Sequence, residues 1–299
     1  MNNPQLLNQF FSIRDWLRYT VSRFESSDIF FGHGTSNAYD EAVWLIFGFL
    51  HLPHDTIDNF LDANITVKEK KDLLLLIEKR INEKIPTAYL LNEAWLKDYK
   101  FYVDERVIVP RSLIAELLSE NFYPWIERPE SIHIALDLCT GSGCLGIMMA
   151  HVFQNASIDL VDISEKALQV AQINTDNYGL NDQLNLIQSD LFQALDEKKY
   201  DLIISNPPYV NQASVDKFPL EFLKEPNIAL GSGNDGLDHT IKIIHEAKKY
   251  LNDDGVLIVE IGHNKEILLE KFPQTEFQWL EVSLGNDFVF MLHKSQLPI

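Results

Sequence analysis

The residues with the clearest chemical use are Asn206-Pro207-Pro208-Tyr209, which follow the apolar run Tyr200-Asp201-Leu202-Ile203-Ile204-Ser205. The run reads as a fully buried strand. Two successive prolines cannot continue it, so the chain must turn out of the sheet at the strand's carboxyl end. The Asn206 side-chain oxygen and the Pro207 carbonyl are two acceptors that can hold both hydrogens of one NH2 group. Tyr209 then offers a flat face to a planar group. The plain alternative is a turn with a capping Asn, because Asn-Pro is a common loop dipeptide. Closure of a buried strand downstream of a glycine-rich loop favours a site, since open α/β sheets bind ligands outside the carboxyl ends of their strands.

That loop is Leu136-Asp137-Leu138-Cys139-Thr140-Gly141-Ser142-Gly143, with a helix expected at once after it. Glycines let the backbone approach a ligand, and a helix N-terminus presents unpaired N–H groups. Read as letters, Gly141 to Gly146 is G-x-G-x-x-G. Asp162, followed by Ile163, lies roughly 20 residues on, where a carboxylate accepts from two ribose hydroxyls, so a dinucleotide dehydrogenase is one reading. Asp137 speaks against it, because a negative charge beside the loop repels a pyrophosphate and welcomes a cationic cofactor. Ser189-Asp190-Leu191 closes the third expected strand and adds a carboxylate that can accept from an adenine amino group. Loop, Asp137, Asp162 and Asp190 together suit S-adenosylmethionine. Any one of these carboxylates alone reads equally well as a helix cap or a loop residue.

The elements that must position these groups follow from periodicity. From residue 132 strand and helix alternate, the pattern of a parallel α/β sheet. Strands are expected near 132–138, 157–162, 184–188, 200–205 and 255–261, and helices near 142–153, 164–178, 237–251 and 264–271. The tail alternates over Phe277–Ser283 and Phe288–His293, an antiparallel hairpin joined through Gly285-Asn286-Asp287. Upstream, apolar residues recur at helical spacing from Leu6 to Phe24, and a loop through Phe31-Gly32-His33-Gly34-Thr35-Ser36-Asn37 leads to a helix over about 40–50. The His33 loop reads as a capped loop. Thr66 and Glu69 form a capping box for a third helix, and Pro86 bounds it. The mixed charges Lys68, Lys70, Lys71, Lys79 and Arg80 read as a solvated helix face. Lys100–Val103 and Arg106–Val109 suggest a hairpin broken at Asp104-Glu105, with a helix from Pro110-Arg111-Ser112 to about Phe122. The expected organisation is a helical domain over 1–90, a hairpin and helix linker over 91–122 and a catalytic domain over 123–299.

At 299 residues with 46% hydrophobic content the chain can bury a sizeable core. It has no apolar run long enough to span a membrane and no signal-peptide pattern at Met1-Asn2-Asn3-Pro4, so a cytoplasmic, soluble protein is expected. Cys139 and Cys144 read as reduced packing residues, and the scattered histidines imply no metal site. The formal net charge is −19, from 44 acidic and 25 basic residues. Such a surface repels nucleic-acid phosphates and attracts basic proteins, so a basic protein partner is expected and direct nucleic-acid binding is not.

Asp137-x-x-x-Gly141-x-Gly143, Asp162 and Asn206-Pro207-Pro208-Tyr209 resemble the class I methyltransferases that modify planar NH2 nitrogens, most closely the protein-glutamine N(5)-methyltransferases. Ala88-Tyr89-Leu90 through Ala94-Trp95, Phe101 through Ser112, Leu136 through Gly143 and Phe31 through Ala42 resemble the ribosomal-protein branch of that family. The match covers nearly the whole chain. It implies a Rossmann-like sheet of order 3-2-1-4-5-7-6 with a small helical, substrate-recognising N-terminal domain. It further implies S-adenosyl-L-methionine as cofactor, lined by Cys139, Thr140, Gly141, Ser142, Gly143, Asp162, Ile163, Leu191 and Asn206, and a glutamine held by Asn206 to Tyr209. Position 139 is Cys where the release-factor branch carries Gly, so its side chain must be accommodated beside the cofactor.

An amide nitrogen is a poor nucleophile, because its lone pair is delocalised into the carbonyl. Two acceptors at Asn206 and Pro207 that fix its hydrogens favour the geometry in which that pair points at the methyl group, and positioning of this kind contributes on the order of 7 to 11 kcal/mol. Tyr209 stacks on the amide plane and excludes water. Three rivals stand beside this reading. A release-factor glutamine methyltransferase is the sister branch of the same family. A nucleic-acid amino-methyltransferase requires a basic groove, and a cofactor-binding assembly factor would have no turnover.

Overall fold

The strands expected from residue 132 onward are recovered in a single seven-stranded sheet. The structure is a computed structural model that describes residues 7–126, 128–196 and 198–298. In chain order the elements are α1 (Ile13–Glu25), α2 (Ala38–Phe49), α3 (Val67–Asn82), α4 (Thr87–Leu91), β1 (Ala94–Leu96), β2 (Tyr99–Phe101), α5 (Ile114–Ser119), β3 (Ile134–Leu138), α6 (Cys144–Val152), β4 (Ser157–Asp162), α7 (Glu165–Tyr178), β5 (Leu184–Gln188), β6 (Tyr200–Ser205), α8 (Gln212–Val215), α9 (Asp238–Tyr250), β7 (Leu251–Glu260), α10 (Lys265–Lys271), β8 (Gln278–Val282) and β9 (Gly285–His293). No helix among the described residues is long and apolar enough to cross a membrane.

The chain divides into two compact units, one running to Ala94 and including Pro219–Lys224, the other comprising Trp95–Phe218 and Glu225–Ile299. The hairpin and helix that the sequence placed in a linker therefore fall, from Trp95 onward, in the second unit.

In the second unit the sheet order is β5-β4-β3-β6-β7-β9-β8, which numbers as 3-2-1-4-5-7-6 within the sheet. Strands β3 to β7 pair in parallel and β9 runs antiparallel to both neighbours. The order reverses at β3, so the connections that leave the paired carboxyl ends of β3 and β6 run in opposite directions, which is where a sheet of this kind opens a crevice. Leu136, Leu138, Ile203, Leu257 and Val259 are fully buried and share one apolar cluster with Ile243, Ile244 and Ala247 of α9. This packing explains why the strands read as continuous apolar runs.

In the first unit α1, α2 and α3 enclose a second core around Trp16, Leu45, Ile46, Leu73 and Ile77. The capping box at Thr66 is formed, with the Glu69 N–H donating to Thr66 Oγ1 at 3.3 Å and the Thr66 N–H to Glu69 at 2.7 Å. Two expectations are corrected here. The helix expected from Leu6 to Phe24 is interrupted: residues 7–9 are helical, residues 10–12 are not, and α1 starts afresh at Ile13, where Ser12 and Asp15 form a capping box; Leu6 lies outside the described residues. Lys70 and Arg80 are not solvated. Lys70 donates to the Leu7 carbonyl at 3.4 Å, and Arg80, 1% exposed, is buried between Glu41 and Glu221. The loop through His33 is capped as expected, with Asn37 Oδ1 accepting the Asp40 N–H at 2.9 Å, and the His33 ring is buried against Phe222, ring centroids 4.3 Å apart.

Two hairpins in the second unit also differ from expectation. The upstream one is β1–β2, turning at Lys97-Asp98, while residues 102–109 form no strand. The Asn174 side chain takes both backbone groups of Tyr102, at 2.7 and 3.0 Å, and the expected turn does follow Asp104, whose carbonyl accepts the Val107 N–H at 3.1 Å and whose carboxylate binds Arg106, but no strands pair across it. The tail hairpin turns at Ser283-Leu284, with Gly285 already in β9 and paired to Val282. Glu116 fixes that turn by accepting from the Ser283 N–H and hydroxyl, each at 2.7 Å.

Candidate active site

One cavity opens at the carboxyl edge of the sheet, and its walls carry most of the residues singled out in the sequence. Cys139 and Gly141 come from the loop after β3, Asp162 and Ile163 from the end of β4, Asp190 and Leu191 from the turn after β5, and Asn206 and Pro208 from the corner after β6. Asp137, Thr140, Ser142, Gly143, Pro207 and Tyr209 are not among its lining residues.

The loop after β3 is built from within. Asp137, fully buried, accepts the Thr140 hydroxyl at 2.6 Å and the Gly146 N–H at 3.0 Å on one oxygen, while Oδ1 has no partner among the described residues. Burial, and to a lesser extent the charge of Asp162, pushes its carboxyl up to about 7. The Ser142 carbonyl accepts from Asn174 at 2.8 Å. Gly143 precedes α6 at φ +80°, and a β-carbon on Gly146 would sit 2.8 Å from Leu160, so this glycine serves helix-to-strand packing. Gly141 is different. At φ +55° a β-carbon there would meet nothing within 4 Å, so its face is open.

Cys139 adopts φ +61° and Leu191 φ +51°, both in the left-handed region that costs a side chain roughly 1–3 kcal/mol. At position 139 a glycine would adopt the same conformation without that cost. Burial pushes the Cys139 thiol up and the Cys144 thiol up to about 12, so both are thiols rather than thiolates.

Asp162 accepts the Gly141 N–H at 2.9 Å on Oδ2 and the Ser164 N–H at 2.9 Å on Oδ1. Each oxygen keeps a lone pair, and burial raises its pKa. Asp190 accepts from Gln193 at 3.1 Å on Oδ2. The Asn206 side chain makes no hydrogen bond to another described residue, and Pro207 beside it is buried.

Tyr209 is held from three sides. Its hydroxyl donates to Glu260 Oε1 at 3.0 Å, its carbonyl accepts from Asn264 Nδ2 at 2.7 Å, and its ring lies against Gly262. Glu260, 2% exposed, also accepts from the Ser112 hydroxyl at 2.6 Å and the Leu113 N–H at 2.8 Å, and its burial raises its pKa. Sequence reasoning missed Glu260, Gly262 and Asn264, although a carboxylate closing the buried run of β7 was a readable signal. It also missed Arg106, Ile228 and His239, which line the cavity. Those three lie outside any glycine loop or strand end.

An open sheet of this order, with a glycine loop after its first strand, a carboxylate closing the second and Asn-Pro-Pro-Tyr closing the fourth, defines a class I S-adenosylmethionine-dependent methyltransferase. A family model described as Methyltransferase small domain matches residues 116–235. The ribosomal protein uL3 glutamine methyltransferase of Neisseria gonorrhoeae is 54% identical over 293 residues, 98% of each chain. That of Burkholderia pseudomallei is 48% identical over 296 residues, 97% of this chain and 96% of its own. The chain belongs to the family of ribosomal protein uL3 glutamine methyltransferases.

Proposed function

We propose that this chain transfers the methyl group of S-adenosyl-L-methionine to the side-chain amide nitrogen of a glutamine in ribosomal protein uL3, in the cytoplasm where that substrate is made. The observation that carries the reading is Asn206. Its side-chain amide, without a partner among the described residues, lines the same cavity as Asp162 and Asp190.

The residues present fit the cofactor. Asp137 Oδ1 is a buried acceptor without a partner, suited to a cationic ligand, and Gly141 leaves open space where any side chain would intrude. Asp162 would accept from the ribose hydroxyls, Ile163, Asp190 and Leu191 would take the base, and Cys139 to Gly143 the amino-acid portion. When bound, the cofactor supplies a methyl group already activated by a sulfonium.

The chain's own contribution is alignment. The Asn206 oxygen and the Pro207 carbonyl accept the two amide hydrogens and fix the nitrogen. Pro207 and Pro208 hold those acceptors without rotational freedom, and Tyr209, anchored at Glu260 and packed on Gly262, braces the corner. After transfer the nitrogen is strongly acidic and its extra proton leaves to water, so no general base is assigned. The first unit recognises the protein substrate, and the acidic surface favours a basic protein over RNA as acceptor.

The test is methyl transfer from labelled cofactor to purified uL3, to a release factor and to deproteinised ribosomal RNA. Label on a glutamine of uL3 is expected. Label on the release factor alone would move the enzyme to the sister branch, and label on RNA alone would overturn the protein substrate.

A further inference from the structure

Two large apolar side chains of the cavity are left open to solvent. Ile163 is 48% exposed and Ile228 is 57% exposed, and both line the same space. Ile163 follows the ribose-side carboxylate. Ile228 comes from the irregular stretch between the corner and α9, where Pro226 and Ala229 also contribute apolar surface. Arg106, Asp190 and His239 are among the polar residues that line the same cavity. The His239 Nδ1 is paired with the Ser232 hydroxyl at 2.7 Å, and burial lowers its pKa, so the ring is neutral. Apolar walls with a carboxylate acceptor are the chemistry of a flat base bearing an amino group.

The stretch is fastened at both ends. Glu225, 2% exposed, accepts both guanidinium arms of Arg111 at 2.5 and 2.8 Å and the Val109 N–H at 2.9 Å. At the other end the Val210 N–H donates to the Leu230 carbonyl at 3.0 Å and the Ser232 N–H to the Val210 carbonyl at 2.8 Å. Residues 226–229 thus hang between a buried ion pair and the residue after Tyr209.

We propose that residues 226–229 form a wall of the adenine site, with Ile228 as its principal contact, and that Arg111 and Glu225 are positioning residues for that wall. This rests on the reading that the cavity takes S-adenosylmethionine. The wall grips the nucleoside and contributes nothing to the amino-acid end of the cofactor.

Calorimetry on the full chain tests it with two ligands, S-adenosylhomocysteine and 5′-methylthioadenosine, which lacks the amino-acid portion. Ile228→Ser, at an exposed position outside the core, is expected to weaken both by the same factor, about 5- to 20-fold. Ile228→Leu is expected to restore both. Arg111→Met is expected to weaken binding by a similar factor in the native background and less than about 2-fold in the Ile228→Ser background, because the pair acts through the isoleucine. Native affinity in Ile228→Ser, or an equal loss from Arg111→Met in both backgrounds, would overturn the proposal alone. Failure of the native protein to bind either ligand would overturn it together with the methyltransferase reading.

Discussion

The Tyr209 hydroxyl donates to Glu260 Oε1 at 3.0 Å, joining the last residue of the corner after β6 to the last residue of β7. Neighbouring parallel strands thus brace each other at the edge where the cavity opens. Glu260 carries two further donors, from Ser112 and Leu113, so the corner, the end of β7 and the segment before α5 meet on one carboxylate.

Gly262 is the part of this arrangement most sensitive to substitution. A β-carbon there would come within 2.7 Å of Tyr209 Cε2 and 2.8 Å of Cδ2, at φ +56°. Gly262→Ala is expected to displace the ring and lower kcat at least about 10-fold, with cofactor affinity unchanged. Tyr209→Phe keeps the ring and loses one hydrogen bond, and is expected to cost less, about 3- to 10-fold. Steady-state kinetics at saturating cofactor distinguish the two, and equal effects would contradict the bracing role.

Asn206 and Asp162 are expected to separate chemistry from binding. Asn206→Ala should lower kcat by about 10²- to 10⁴-fold and leave cofactor affinity within a few fold, because only positioning in the transition state is lost. Asp162→Ala should weaken cofactor binding by about 10²-fold, since a carboxylate holding two hydroxyls is removed. Turnover near native in the first variant, or native affinity in the second, would refute the role concerned.

Asp137 gives the unliganded protein a pH dependence. Its folded pKa of about 7 lies above the ordinary 3.8, chiefly through burial, so between those values the folded state keeps a proton that the unfolded chain releases. Stability therefore falls as pH rises from about 4 to about 7, by on the order of 4 kcal/mol from this group, and levels off above. Urea unfolding at pH 5 and pH 8 should show this loss in the native protein and much less of it in Asp137→Asn. A cationic ligand favours the ionised form, so binding should release a proton near pH 7, read by calorimetry in buffers of different ionisation enthalpy.

In the first unit Arg80 is enclosed by carboxylates. It binds Glu41, donates to Glu221 at 3.0 Å and to the Phe30 carbonyl at 2.7 Å, and Glu41 accepts a further hydrogen bond from Thr87 at 2.8 Å. Arg80→Ala leaves two buried carboxylates without their cation and is expected to cost about 3–5 kcal/mol in denaturant unfolding. A loss under 1 kcal/mol would mean that the pair is solvated.

With a net charge of −19, association with a basic protein substrate is expected to be steered by the field of the whole molecule. The on-rate should fall several-fold between about 50 and 300 mM salt while kcat holds, as stopped-flow mixing will show. An on-rate independent of salt would remove the steering argument.

The sequence by itself determined what depends on neighbours along the chain. Continuous apolar runs located β3 to β7, the Thr66–Glu69 spacing located the start of α3, and the double proline after Ser205 placed a rigid corner at a strand end, because period, capping and proline geometry act within a few residues. The tertiary structure alone decided which distant groups meet. Arg80 reads as one more solvated charge until Glu41 and Glu221 are folded onto it, and Lys100–Val103 and Arg106–Val109 read as paired strands until Asn174 takes the backbone of Tyr102. Ile228 carries no local signature at all, and Glu260 shows only as a carboxylate at the end of an apolar run, with nothing to name its partners. Hydrogen bonding and burial at these positions are properties of contacts between segments far apart in sequence, and such contacts exist only once the sheet has brought its strand ends to one edge.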